Sequence, residues 1–502
     1  MFVRKKKNKS GVISVQVIDK STGKYKVKKT IGSSSNPEEI DLLVIKGKEW
    51  IKSYLKQQEL DFSTKLTSDE IFESITNIHN AGIELTLGLI YKQIGFNFVD
   101  EEILYYLTLT KLSFPASKLK TTDYLRRYFG KDINEDRIYR YLDQLYNNQK
   151  ERIQQISYKH TLKILGGMIS VVFYDVTTLY FQIDDEDEIR KRGFSKEGKH
   201  QNPQILLGLL VSIDGYPLAF DIFEGNKFEG HTMLPVLDAF KTKYQLDKLV
   251  IIADSGLMSL QNITELQEKG YEFILGARIK NEKQKIKDKI LSLELKNGES
   301  EILEKQGNLK LIISYSDKRS KKDKHNRERG LKRLEKQLRS GKLTKSNINN
   351  RGYNKYLKME GDITISIDKE KYELDSKWDG LKGYITNTSL SKNEIIENYG
   401  HLWKIEKAFR ISKHDLKVRP IYHRLQKRIE AHITINFVAY KVYKELERQL
   451  KEKNANISVE KLIDIAKTIY TVTIKDPSTK QLKMKTLLLN EEQIYVAELF
   501  NL

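Results

Sequence analysis

The sequence predicts an α/β protein: a mixed sheet with helices on its faces, preceded by a mainly helical region. Three observations lead there. Between residues 166 and 279 short apolar runs alternate first with turns and then with helical segments. From about residue 37 to 165, apolar residues recur at helical spacing, as in Ile83, Leu87, Ile90, Tyr91 and again in Ile103, Tyr106, Leu107. Between residues 280 and 375 a basic, β-rich stretch interrupts the alternation before helical spacing returns.

Taken in order, residues 1–35 hold a hairpin pattern. Val12, Ile13, Val15 and Val17 lead into Ser21-Thr22-Gly23-Lys24, and Tyr25 and Val27 return. Residues 36–165 read as a helical region for DNA binding or dimerisation. Within it, Ser117–Phe129 and Glu135–Tyr146 are two short helices around Gly130, with Asn134 placed to cap the second. The second carries Arg137 and Arg140 and has the form of a helix-turn-helix, although plain packing produces the same pattern.

The first part of the α/β core spans 166–279. Met168–Phe181, Gln204–Ile213 and Pro217–Phe223 read as strands, with Asp214-Gly215 as a turn. Gly230–Tyr244 reads as helix, Lys248–Ala253 as a buried strand, Ser259–Lys269 as helix and Tyr271–Ala277 as strand. The order β-β-β-α-β-α-β implies three hairpin-joined strands followed by right-handed crossovers. That string matches the ribonuclease H-like fold.

Residues 280–375 read as an insertion. It contains the basic stretch Lys318–Lys324, a helix over Arg327–Leu338, and strands over Leu309–Tyr315 and Asp362–Ile367. The core resumes over 376–445 with a helix from about Lys392 to Asp415. Residues 446–502 read as mainly helical, with a late hairpin near Asp476–Thr479.

Composition narrows the function. Lys and Arg number 88 against 68 Asp and Glu, a formal charge of +20, which favours a polyanionic partner. A merely Lys-rich soluble protein would show the same surplus. There is no cysteine, so thiolate nucleophiles and Cys-based zinc sites are excluded. The basic start, Met1–Lys9, leads into no apolar segment, and no run of about 18 apolar residues exists. A cytoplasmic protein without membrane association is expected.

Three acids stand out. Asp175 lies inside the strand Val171-Val172-Phe173-Tyr174-Asp175-Val176-Thr177-Thr178, against β propensity. Asp254 closes an apolar strand at its carboxyl end, where ligands of such sheets collect. Parallel neighbouring strands would bring the two side by side. Carboxylates that close repel unless a cation bridges them, and hard oxygen donors suit Mg²⁺ or Mn²⁺. Glu406 is the third. Helical spacing puts Tyr399, Leu402, Glu406, Phe409 and Lys413 on one stripe, with an ion pair to Arg410 as the plain alternative. Two metal ions about 4 Å apart can activate a nucleophile and stabilise the leaving oxygen of an in-line phosphoryl displacement.

These residues resemble a known family. Asp175-Val176-Thr177-Thr178, Ala253-Asp254-Ser255-Gly256 and Tyr399…Glu406…Lys413 are similar to the DDE transposases of bacterial insertion sequences. The group in question is the cut-and-paste branch with the signature Tyr-x2-Arg-x3-Glu-x6-Lys. The resemblance runs from about residue 165 to 445. It implies that Asp175, Asp254 and Glu406 bind two Mg²⁺, and that Tyr399 and Lys413 hold the transposon end near the cut. It implies nicking, often a hairpin, then strand transfer by the 3′-hydroxyl. A homodimer would act on double-stranded DNA, pairing terminal inverted repeats and joining them to target DNA. The signature Arg is Leu402 here; Arg410, one turn past Glu406, is the candidate replacement. Arg419-Pro420 and His423 are expected to face DNA, and Trp378 and Trp403 are candidates to stack on an extruded base, core packing being the plainer role. Two other readings keep part of this: a metal-dependent nuclease or resolvase without joining, and a DNA-binding protein without catalysis.

Overall fold

Val15, Val17 and Ile18 are fully buried although strict alternation would expose one of the last two. The reason is a pair of register shifts between β2 (Ile13–Asp19) and β3 (Lys26–Ser34), at Val15/Gln16 and Val17/Ile18. Each bulge moves the next residue to the other face. With β1 (Phe2–Lys7) these strands form an antiparallel sheet in the order β1-β2-β3, covered by α1 (Pro37–Tyr54) through Ile40. The hairpin read from the sequence is therefore two strands of a three-stranded sheet.

The computed structural model describes the chain apart from residues 10, 22, 55–71, 100–101, 196–197, 247, 258, 350–351, 361–363, 420 and 477–478. Thr22 of the first turn, 362–363 of the strand expected over Asp362–Ile367, Pro420, and 477–478 at the expected late turn lie outside the described residues. Two compact units result, Met1–Thr76 with Ile474–Gln481, and Asn77–Thr473 with Leu482–Leu502. No helix among the described residues is long and apolar enough to cross a membrane.

Where helical spacing is read from the sequence, one strand intervenes: β4 (Ile75–Asn80), rich in β-branched Ile75, Thr76 and Ile78. Helices then follow as expected: α2 (Leu89–Ile94), α3 (Glu102–Ser113), α4 (Lys118–Tyr124), α5 (Glu135–Gln144) and α6 (Lys150–Ile164). Ser117 caps α4, and Asn134 caps α5 by accepting from the Arg137 amide at 2.9 Å. Gly130, at φ 63°, reverses the chain between them.

The main sheet is built from β5 (Val171–Tyr180), β6 (Gln204–Ser212) and β7 (Pro217–Glu224), then α7 (Met233–Tyr244), β8 (Val250–Ala253), α8 (Leu260–Glu268) and β9 (Glu272–Ala277). β5 pairs antiparallel with β6 and parallel with β8, and β8 pairs parallel with β9. This is the ribonuclease H-like arrangement. One connection differs from the expected hairpins: residues 181–203 make a long excursion between β5 and β6, carrying an Arg190–Asp187 ion pair at 2.6 Å.

Beyond β9 come α9 (Gln284–Leu291), β10 (Ser300–Glu304), β11 (Lys310–Tyr315), α10 (Asp317–Arg339), the hairpin β12 (Leu357–Glu360) and β13 (Thr364–Ile367), and α11 (Lys369–Ser376). The basic stretch Lys318–Lys324 is the first part of α10 rather than a lead-in, helped by an Arg319–Asp323 pair one turn apart at 3.4 Å. A further strand, β14 (Leu381–Thr386), was not read from the sequence. It pairs with β9 and with β11, so the sheet has eight strands in the order β10-β11-β14-β9-β8-β5-β6-β7.

The helix expected from Lys392 to Asp415 is broken. α12 (Lys392–Gly400) and α13 (Trp403–Arg410) are separated by His401-Leu402. There the amides of His401, Leu402, Lys404 and Ile405 each bond three residues back, which tightens the coil and turns its axis. α14 (Gln426–Glu452) is buried on every side along residues 429–443, polar residues such as His432, Asn436 and Lys441 included, and is packed by α2, α3, α5 and α6. The chain closes with α15 (Val459–Ala466), β15 (Tyr470–Lys475), β16 (Leu482–Leu487) and α16 (Glu491–Phe500).

The period of two along each strand divides the core. Val172, Tyr174, Ile251 and Phe273 face α7 and α8 with Leu237, Phe240 and Leu266. Phe173, Val250, Ile252, Ile274 and Tyr384 face the other way, toward Ile395 of α12, Ile405 and Phe409 of α13, and α14. Side chains two apart share a face, and this sets the direction of the acids.

Candidate active site

Asp175 shares its face with Phe173, and Asp254 with Ile252, so both point to the side covered by α12 and α13. The last paired residues of β5 and β8 are Tyr174 and Ala253, so Asp175 and Asp254 are the next two in register. On the far side Ala253 pairs with Leu275, which makes Gly276 the next neighbour of Asp254. β14 follows, with Tyr384 opposite Gly276 and Lys382 two residues away on the same face. One row across four strands thus reads Asp175, Asp254, Gly276, Tyr384.

Tyr399 of α12 lies over this row, only 5% exposed. Its hydroxyl donates to Asp254 Oδ1 at 3.1 Å. The ring meets Tyr384 edge-on at 4.9 Å. Burial, and then the Asp254 carboxylate, hold the phenol well above its ordinary pKa, so it stays a donor. Gly276 makes this possible: a Cβ there would stand 2.4 Å from the Tyr399 hydroxyl and 3.0 Å from the Ser255 amide. Gly276→Ala is expected to displace Tyr399 and lower DNA cleavage by about 10²-fold, as small misplacements at a reacting centre do. In a Tyr399→Phe background, which removes the obstructing oxygen, the added loss should be several-fold smaller. Equal losses in both backgrounds, measured on a nicking substrate, would contradict the steric account.

Lys382 completes the group. Its ammonium lies 4.4 Å from the centre of the Tyr399 ring and 5.3 Å from that of Tyr384. Burial, with Arg319 nearby, pulls its pKa down, while Asp254 and Glu406 pull it up. A single cation therefore feels both acids. Lys382, Tyr384 and Gly276 were missed in the sequence; a lone glycine inside the strand Glu272–Ala277 is a signal for close approach.

Asp175 is half-buried, and its Oδ1 accepts from the Val176 amide at 2.8 Å. Glu406 is on α13, which packs against β5, and it is exposed at the edge of the buried stripe Leu402, Ile405, Phe409. It makes no ion pair with Arg410 among the described residues. Tyr399, on the other side of the helix break, leaves the stripe that spacing assigned to it. Leu402, at the signature's Arg position, is buried in the core. Among the described residues no three acids or histidines stand close enough to hold one metal ion together. The donor set still suits a hard cation: two carboxylates adjacent in register.

The other expected residues are dispersed. Lys413 is half-buried in the turn after α13, and Arg410 is exposed. Arg419 lies over the Tyr180 ring at 5.3 Å, and His423 meets Tyr139 edge-on at 6.1 Å. Arg137 and Arg140 are on α5; the Arg137 guanidinium approaches Glu102 at 3.9 Å, and Arg140 Nε donates to the Asp136 carbonyl at 3.4 Å. Trp403 is 52% exposed, outside the core. Trp378 packs half-buried beside Leu381 and lines a cavity of about 540 Å³ that runs from Ser255 and Lys382 to Arg319 and Tyr353.

A ribonuclease H-like sheet with aspartates in adjacent register, one within β5 and one just past β8, defines a class of phosphoryl-transfer enzyme that acts on nucleic acid. The family model described as "Transposase DDE domain" matches residues 166–441, and the chain belongs to that family. It is a DNA transposase, an enzyme of DNA cleavage and strand transfer, and its family works with divalent metal ions. Among solved structures, it is similar to a piggyBac transposase synaptic complex with hairpin DNA, at 10% identity, covering 79% of this chain and 78% of that one, TM-score 0.40. It is also similar to a Mos1 transposase paired-end complex with the left transposon end, at 11% identity, covering 46% and 66%, TM-score 0.16. A Mos1 mariner paired-end complex with Mn matches at 13% identity, covering 46% and 67%, TM-score 0.15. No curated protein matches the sequence.

Proposed function

We propose that this transposase belongs to the bacterial insertion-sequence, cut-and-paste branch and that Asp175, Asp254 and Glu406 hold two Mg²⁺ ions, with Mn²⁺ as a substitute. The observation that carries this reading is the register of β5 and β8, which makes Asp175 and Asp254 neighbours on the face covered by α13. When bound, divalent ions supply Lewis-acid activation and charge neutralisation for in-line phosphoryl displacement. Tyr399 holds the Asp254 carboxylate by its hydrogen bond. Lys382 balances the acid charge before DNA arrives. Glu406 is exposed on α13, open to a cation from solvent.

DNA contacts are assigned to side chains outside this centre. Arg410 and Lys413 continue the Glu406 helix toward the strand being cut, Arg419 and His423 follow, and Arg137 and Arg140 extend the surface on α5. Trp378 and Trp403 are the stacking candidates; the exposure of Trp403 and the cavity beside Trp378 support those roles. A homodimer would pair two terminal inverted repeats and join them to target DNA.

A strand-transfer assay with a pre-cut end bearing a 3′-hydroxyl tests the reading. Joined product is expected with Mg²⁺ or Mn²⁺ and none with chelator present. Hydrolysis without joined product would overturn strand transfer.

A further inference from the structure

A second cavity, of about 370 Å³, lies away from the acids, between the start of α4, the end of α3 and the segment after α13. Four cationic side chains line it, those of Lys111, Lys118, Lys417 and Arg419, with His423 and His432. Among the described residues Glu135 is the one carboxylate in the lining. Cations gathered on one partly enclosed cavity favour an anion there.

The cluster is built into the core. Lys111, on the last turn of α3, is 7% exposed, and its ammonium donates to the Lys417 carbonyl at 3.1 Å. One of its three hydrogens is used there, and the donor points into a space bounded by more cations. His432 Nε2 stands 2.9 Å from the Val418 carbonyl, an acceptor, so that nitrogen carries the ring proton. His423 stands 5.5 Å from the His432 ring. Burial, reinforced by Lys118 and Lys417, pushes Lys111 down to about 7, and burial pushes His423 down to about 4. Tyr139 and Tyr422 flank the cavity, Tyr422 being 73% exposed.

We propose that this cavity is a phosphate-binding pocket in which Lys111, Lys118 and Arg419 grip the anion. Phosphate is the class that matches several cationic N–H donors gathered on one cavity. It has two sources, a backbone phosphate of bound DNA or a free phosphate. The DNA source rests on the transposase reading; the phosphate site itself does not.

The test uses the full chain, with Lys111→Met, which keeps the buried stem, and Lys118→Gln, at a residue that is half-buried as a whole. Inorganic phosphate is titrated calorimetrically at low ionic strength. A 40-base-pair duplex is titrated by fluorescence anisotropy over a range of salt. Both variants should bind inorganic phosphate at least about 5-fold more weakly than wild type, since a charge-assisted hydrogen bond is lost. If DNA is the source, the slope of log affinity against log salt should also fall by about one. Weaker phosphate binding with an unchanged DNA slope assigns the pocket to a free phosphate. Unchanged phosphate binding and unchanged slope in both variants overturn the proposal. Failure of strand transfer in the wild type would count against the proposed catalytic reading and leave the phosphate titration standing.

Discussion

Asp254→Asn should abolish cleavage and joining, by on the order of 10³-fold or more, while duplex binding stays within about 3-fold of wild type. The substitution is nearly isosteric. Asparagine Oδ1 still accepts from the Tyr399 hydroxyl, which now stands 3.1 Å from Asp254, so the local packing should hold. What is lost is one of two negative charges in adjacent register, and with it the affinity for a divalent cation. Single-turnover nicking with Mg²⁺ and with Mn²⁺, beside anisotropy of a labelled duplex, separates the two effects. Cleavage persisting within 10-fold of wild type would remove Asp254 from the metal site.

Lys441→Ala should cost about 3 kcal/mol or more of stability. Lys441 is fully buried in the middle of α14. Its ammonium donates to the Ser157 carbonyl at 3.1 Å and to Thr161 Oγ1, both on α6, and lies 4.1 Å from the centre of the Tyr216 ring. Tyr216 in turn donates to Glu445 at 2.7 Å, and Glu445 is paired with Arg448. Alanine leaves a cavity the length of the lysine stem and an acceptor without its donor. Lys441→Met fills the space and loses the hydrogen bonds and the contact of the ammonium with the Tyr216 ring, so its cost should be about 1–3 kcal/mol. Urea midpoints of the two variants should therefore rank wild type, Met, Ala. Alanine within about 0.5 kcal/mol of wild type would show that α14 is held by its apolar contacts alone.

Much of the fold was legible because strands and helices differ in period. The strand Val250–Ala253 is uniformly apolar because both its faces are covered, and the turn at Asp214-Gly215 marks the β6–β7 hairpin. β14 was not legible. Lys382 and Gly383 interrupt its apolar run, and both are there for tertiary reasons: one reaches the acids, the other admits Ile279, 2.2 Å from where a Cβ would be. The break at His401-Leu402 was also hidden. Apolar spacing continues through it, and only the packing of Tyr399 over β9 and of α13 over β5 requires the change of axis. Asp175 stood out against the β propensity of its strand, and Asp254 by its place at the carboxyl end of an apolar one. Lys382 was not, since an isolated lysine in a basic protein carries no contrast.

The joining of the insertion to the main sheet fixes a distance scale. β11 is laddered to β14, β14 to β9, and β9 to β8, the strand that ends at Asp254. Neighbouring strands are about 4.8 Å apart and their register moves only in whole residues. The start of α10, with Arg319, and the cavity beside Trp378 are thus referenced to the acid centre by three backbone ladders instead of by a linker. Lengthening or shortening the far end of α10 should be tolerated by this frame, whereas a one-residue insertion within β14 would turn Lys382 and Tyr384 to the opposite face and re-index everything the sheet holds against Asp254.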